Sequence, residues 1–224
     1  MIDYTLSRSK RKTFAIYIKN GAVEVRAPLK APKSAIDKFV ASRENWIKEK
    51  LALSNLRLEQ RGNFNLDYGD TVIFRGAQYP IAAKDGNRIG FDDKRFYMPP
   101  GLAVEYIKKA CIDIYRLLAK RHLTARVQHY AALMSVAPLS VRINGAKTRW
   151  GSCSAKKSIN FSWRLIMADD DIIDYVVVHE LAHLIELNHS ERFWAIVKEI
   201  LPDVQAHKMK LKKLQNQLSA ENWD

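Results

Sequence analysis

His179-Glu180-Leu181-Ala182-His183, continued by Leu184-Ile185-Glu186-Leu187-Asn188-His189, is the stretch on which the reading of this chain turns. On a helix, residues four apart share a face, so His179 and His183 can close on one ion from successive turns. Glu180 lies one position round, within reach of a water on that ion. Two imidazoles, an adjacent carboxylate and an open coordination position are the parts of a zinc-dependent hydrolytic site. Val176, Val177, Val178, Leu181 and Leu184 surround them with apolar surface. This pattern predicts a buried helix from about Asp170 to Leu187, and Asp169, Asp170 and Asp171 suit its positive end.

A tetrahedral ion needs a third protein ligand, and two residues compete for the place. Glu186 shares the helical face, but it lies about 10 Å along the axis from His179, too far for three in-line side chains to converge. His189 is placed correctly only if the helix ends first, since an unbroken helix would carry it about 240° round from His183. Asn188 offers a stop, as the commonest non-glycine residue in a left-handed cap. Ser190 can then cap a new helix that opens on Glu191. The spacing therefore predicts His179, His183 and His189 as ligands of one Zn²⁺ per chain, with Glu180 as the base.

The rest of the 224 residues sets the context. With 47% hydrophobic and 27% charged residues the composition is that of a soluble globular protein. No run approaches the roughly 18 apolar residues of a membrane span, and Met1-Ile2-Asp3-Tyr4 lacks the pattern of a secretory signal. The two cysteines, Cys111 in a helical pattern and Cys153 in a polar loop, form no disulfide framework or zinc ribbon. A reducing cytoplasm is the expected compartment. The net charge of +13 is concentrated at the start, where residues 1–62 hold 14 Lys and Arg against 6 Asp and Glu. Arg8, Lys10, Arg11 and Lys12 cluster there, a surface suited to nucleic acid or nucleotides, or simply to solubility. Lys208, Lys210, Lys212 and Lys213 read as a solvated face, and His122, His129 and His207 as structural or surface residues without ligand partners.

Along the chain, Thr13–Ile18 and Ala22–Arg26 alternate around Asn20-Gly21, a hairpin signal within residues 4–28. One long amphipathic helix is expected from about Lys33 to Glu59. Short strands are expected next, at Thr71–Phe74, Gln78–Ala83, Arg88–Phe91 and Arg95–Met98. Pro99-Pro100-Gly101 marks a boundary between a β-rich basic region, residues 1–100, and a second region, residues 101–224. The latter should hold a helix from Leu102 to Met134, strands at Ser140–Asn144 and Ser158–Trp163 joined through a Thr148–Gly151 loop, the ligand helix, and helices from Glu191 and about Asp203. The fold class is α+β.

Together, Thr148-Arg149-Trp150-Gly151-Ser152-Cys153-Ser154, Asn160-Phe161, the His179–His183 motif, Asn188-His189-Ser190 and Phe193-Trp194 resemble the YgjP-like metallopeptidase family, related to the SprT-type and Spartan-type minimal zinc proteases. Ser9-Lys10-Arg11-Lys12 and Arg26-Ala27-Pro28 extend the resemblance over nearly the whole chain. It implies a small β-containing N-terminal region followed by a minimal zincin-like metallopeptidase domain, with His179, His183 and His189 on zinc and Glu180 as general base. The four-cysteine ribbon often appended in SprT-type relatives is missing here.

Arg149 is the candidate donor to the developing oxyanion; its alternative role is an ion pair holding the loop. Trp150, Phe161, Trp163, Phe193 and Trp194 read mostly as core. Three functions are compatible with these residues: a zinc peptidase whose sheet edge pairs with a polypeptide substrate, a metal-dependent nucleoside triphosphate hydrolase, and a nucleic-acid-associated protease acting on DNA-bound proteins. No Gly-rich phosphate loop supports the second. No membrane partner is expected, and the oligomeric state is unspecified.

Overall fold

The computed structural model describes residues 2–223, and they form two compact units. The first runs to Phe64 and includes Gln217–Asn222; the second comprises Asn65–Asn216 and Trp223. The fold class is α+β, as expected, with three small sheets among the described residues.

In the first unit, β2 (Ala15–Lys19) and β3 (Ala22–Pro28) make the expected antiparallel hairpin. Asn20 and Gly21 take φ of 50° and 73°, the two positive values that a tight hairpin turn demands. A further strand, β1 (Thr5–Ser9), pairs in parallel with the other side of β3. The single long helix expected after the hairpin is two, α1 (Lys33–Ala41) and α2 (Glu44–Asn63). At the break the Ser42 hydroxyl donates to the Phe39 carbonyl at 2.8 Å, a side-chain bond that competes with the helical ladder. Val23, Val25 and Ala27 of β3 pack with Ile36, Val40 and Ile47 to form this unit's core. Arg8 is not a free surface cation: its Nη1 donates to the carbonyls of Pro28, Leu29 and Ala31.

The second unit begins with the hairpin β4 (Thr71–Phe74) and β5 (Ala77–Ala83). The strands β6 (Gly90–Phe91) and β7 (Phe96–Met98) complete a sheet of order β4-β5-β7-β6. The boundary expected at residues 100–101 falls inside this unit, because its strands are tied to α3 (Val104–Leu133). Phe96 packs on Tyr115 of that helix at 5.0 Å, and the Tyr115 hydroxyl donates to the Ile73 carbonyl. The next sheet has order β8-β10-β9, from β8 (Ser140–Asn144), β9 (Gly151–Cys153) and β10 (Ser158–Ser162). The expected loop through Gly151 is thus partly a strand, and Cys153 lies on it. Nothing in Gly-Ser-Cys signals a strand; β10 supplies the ladder, with Ile159 opposite Cys153 and Phe161 opposite Gly151.

Beyond β10 a 3₁₀ turn, Trp163–Met167, leads into α4 (Asp170–Ala182). The β4–β5 turn docks here: Arg75 and Gly76 donate to the Ile166 and Met167 carbonyls, and Arg75 pairs with Asp170 in the first turn of α4. Arg126 of α3 grips Asp174 through two bonds of 2.6 and 2.7 Å, to which the Tyr130 hydroxyl adds a third. These contacts fix α4 before the ligand residues are reached. Then come α5 (Glu191–Ile200) and α6 (Val204–Leu218). No described helix is long and apolar enough to cross a membrane.

Candidate metal centre

The helix that carries the first two histidines ends sooner than its apolar pattern suggests. α4 stops at Ala182 with His183 as its cap, not at Leu187. Leu184 and Ile185 donate to the carbonyls of Leu181 and Ala182, three residues back, the tightening common at helix ends. No left-handed residue at Asn188 is involved, since Asn188 is absent from the positive-φ positions. The early stop turns the chain so that His189 comes back towards α4. Ser190 caps α5 as expected, its hydroxyl accepting from the Phe193 amide at 3.3 Å.

Through this turn, ligand-capable nitrogens of His179, His183 and His189 all lie within 4.8 Å of one another. Glu186 is outside the group; it contributes its backbone carbonyl, 3.1 Å from His183 Nδ1. With that nitrogen donating, His183 Nε2 keeps its lone pair for an ion, the usual way in which an outer partner selects the tautomer. His179 Nε2 and His189 Nε2 are 3.0 Å apart. Metal–nitrogen bonds of roughly 2.0–2.1 Å in tetrahedral geometry separate ligand nitrogens by about 3.3 Å, so the spacing fits a shared small cation.

Electrostatics favour neutral imidazoles. Burial, reinforced by His183, His189 and Lys208, pushes His179 down to about 3, and burial likewise lowers His183. Neutral imidazole is the metal-binding form. Glu180 is 5% exposed, and burial pushes its carboxyl up to about 7. Its Oε2 and the Nδ1 of His179 are both buried without a hydrogen-bond partner. Orphaned buried polar atoms are costly; the Glu180 oxygen, beside three imidazoles, fits a site built to receive a water on an ion, whereas Nδ1 of His179 lies across the ring from the Nε2 that faces His189.

Three supporting elements escape sequence reading. A Cβ on Gly151 would lie 2.5 Å from Glu180 Oε1 and 2.6 Å from its Cγ, so β9 passes against the carboxylate as only glycine permits. The signal is the glycine after Trp150 in the Thr148–Ser154 stretch, yet spacing alone does not reveal its neighbour. Phe193 is fully buried behind the ligands, with its ring 4.5–4.9 Å from all three imidazoles. Trp194 stacks on His189 at 5.6 Å and 22°. Trp163 and Phe161 belong to the core as expected.

Arg149 is exposed on the loop leading into β9, and no carboxylate pairs with it among the described residues. The loop-holding alternative therefore has no partner. The other histidines serve structure: His122 sits 3.3 Å from Asp170, His207 stacks on Tyr175, and His129 meets Tyr130 edge to face. The lysines of α6 are not a uniform solvated face. Lys210 pairs with Asp171 at 2.5 Å, and Lys208 holds its Nζ 3.7 Å above the Trp194 ring.

Two solved structures are similar in part. The metallopeptidase zymogen of Pyrococcus abyssi abylysin is 23% identical over 45% of this chain and 97% of its own, with a TM-score of 0.39. That of Methanocaldococcus jannaschii jannalysin is 19% identical over 42% and 96%, with a TM-score of 0.37. No curated protein matches the chain. Residues 12–214 match the family described as YgjP-like, metallopeptidase domain, and the chain therefore belongs to this family of metallopeptidase hydrolases.

Proposed function

We propose that the chain hydrolyses peptide bonds, with His179, His183 and His189 holding one Zn²⁺ and Glu180 acting as general base. The observation that carries the reading is the convergence of three imidazoles beside a buried carboxyl on the same helix. Zinc bound there would polarise a carbonyl and lower the pKa of a water towards roughly 7.

Glu180 accepts a proton from the attacking water and delivers it to the leaving amine. Burial alone raises this carboxyl to about 7; a cation held beside it would favour the ionised form that accepts the water's proton. Gly151 keeps the carboxylate in place from the β9 side. Because β9 is an edge strand of its sheet, its unpaired side can pair with an extended polypeptide. Arg149, unpaired where the chain enters β9, is the proposed donor to the carbonyl oxygen as charge develops. All these residues fall within 101–224, the segment assigned to the metallopeptidase on sequence. The free thiols Cys111 and Cys153 suit a reducing, cytoplasmic setting.

The test is a substrate panel of casein, unfolded peptides, nucleoside triphosphates and DNA-crosslinked protein, offered to the zinc-loaded enzyme. Chelator-sensitive cleavage of casein or unfolded peptide is expected. Turnover of triphosphates with every polypeptide left intact would overturn the peptidase reading.

A further inference from the structure

His189 differs from its two partners in what holds it. His183 is tied through Nδ1 to the Glu186 carbonyl, and His179, though its own Nδ1 has no partner, is half-buried on the regular part of α4. His189 is exposed in the turn between helices, and no hydrogen bond fixes its Nδ1 among the described residues. A ligating histidine normally donates its second nitrogen to a partner that sets the ring's orientation. Here orientation has to come from ring packing. Trp194 supplies the parallel face, 5.6 Å away and tilted 22°.

Trp194 is half-buried and lines a cavity of about 420 Å³ together with Glu191, Lys198, Val204 and Lys208. Within it, the Lys208 ammonium sits 3.7 Å over the indole, close enough for a strong cation–π contact. α6 is itself anchored to α4 on either side of Lys208, by the stack of His207 on Tyr175 and the ion pair of Lys210 with Asp171.

We infer that Trp194, braced by Lys208 of α6, is the positioning residue for the third ligand, His189. The inference rests on His189 being that ligand. The imidazole stacks on the indole and the ammonium lies over that same indole, so α6 supports the ring on which the ligand packs. Without the ammonium the indole can swing into the open cavity. Without the indole, the exposed imidazole has many orientations, of which few bind.

One opposing effect must be separated in the test. Lys208 also repels a bound divalent cation, so loss of its charge alone would strengthen binding. In about 0.5 M salt, where the screening length is roughly 4 Å, that repulsion is largely suppressed. Apo protein should be titrated with Zn²⁺ against a chromophoric chelator in this salt, and the visible spectrum recorded after Co²⁺ loading. Trp194→Leu should weaken zinc about 10–100-fold, and Lys208→Met by the lower end of that range. Both should broaden the Co²⁺ bands, whereas Trp194→Phe and Lys208→Arg should restore most of the affinity and the native spectrum. Lys208→Met keeps the side chain's stem, so it decides the matter even if Trp194→Leu does not fold. Native affinity and spectrum in Lys208→Met, with zinc lost in His189→Ala, would overturn the positioning role alone. Native affinity in His189→Ala would instead overturn the ligand assignment beneath it.

Discussion

Replacing Gly151 with alanine tests the contact on which the placement of the base depends. The added Cβ would stand 2.5 Å from Glu180 Oε1, 2.6 Å from Cγ and 2.8 Å from Cδ. Ordinary contact begins near 3.4 Å, so about 0.9 Å must be found by movement of one partner. Gly151 does not occupy the left-handed region, so the backbone tolerates alanine and the effect is purely one of space. Glu180 is only 5% exposed, so its side chain has little room to move aside. If β9 yields, the strain should cost about 1–3 kcal/mol of stability, a fall in Tm of roughly 2–12 °C for a chain of this size. If the carboxylate yields, a displacement near 1 Å should lower kcat/KM on the order of 100-fold. The imidazoles are untouched, so zinc should be retained. The assay is kcat/KM on an unfolded peptide, with zinc content and thermal melting on the same preparation. Gly151→Ala with native kcat/KM and native Tm would refute the reasoning.

Other substitutions probe the neighbouring contacts. His183→Ala should lose zinc, whereas Glu186→Ala should keep it, since Glu186 contributes only its backbone carbonyl; elemental analysis of the two decides the ligand set. Arg126→Leu strands the half-buried Asp174, and a loss of about 1–3 kcal/mol in denaturant unfolding is expected. Asp170 is held below its usual carboxylate range first by its hydrogen bonds to Arg75. A depressed folded pKa gives stability that is present above the unfolded value and lost as pH falls through the folded one. The pair is nearly half exposed, so Asp170→Asn should cost only about 0.5–1 kcal/mol at neutral pH. That difference should shrink in unfolding titrations as pH falls through the depressed folded-state value of Asp170.

What the sequence made legible was local. The Asn20-Gly21 turn, the Ser190 cap and the register of His179 and His183 each depend on residues within a few positions of one another. What it concealed depends on distant partners. β1 is exposed along its whole length and has no alternation to betray it; it exists because β3 has a free edge. β9 is three residues held by β10. The division of the chain eluded Pro99-Pro100-Gly101 because aromatic packing of Phe96 on Tyr115 binds the earlier strands to the later helix. The ligand helix reads on to Leu187 by pattern, yet backbone bonding ends it at Ala182. Lys208 looked like one of several surface lysines, and only the fold brings it over Trp194.

The central claim is that Glu180 moves the proton while the histidines hold the metal. It is tested most directly by hydrolysis of unfolded polypeptide by zinc-loaded Glu180→Gln beside the native protein, with zinc counted in both. The amide fills the same buried space against Gly151 but cannot take a proton from water. One zinc per chain in each protein, with cleavage by the native protein alone, is the expected result. Cleavage by Glu180→Gln at the native rate, or a loss of zinc matching that of His183→Ala, would contradict the account.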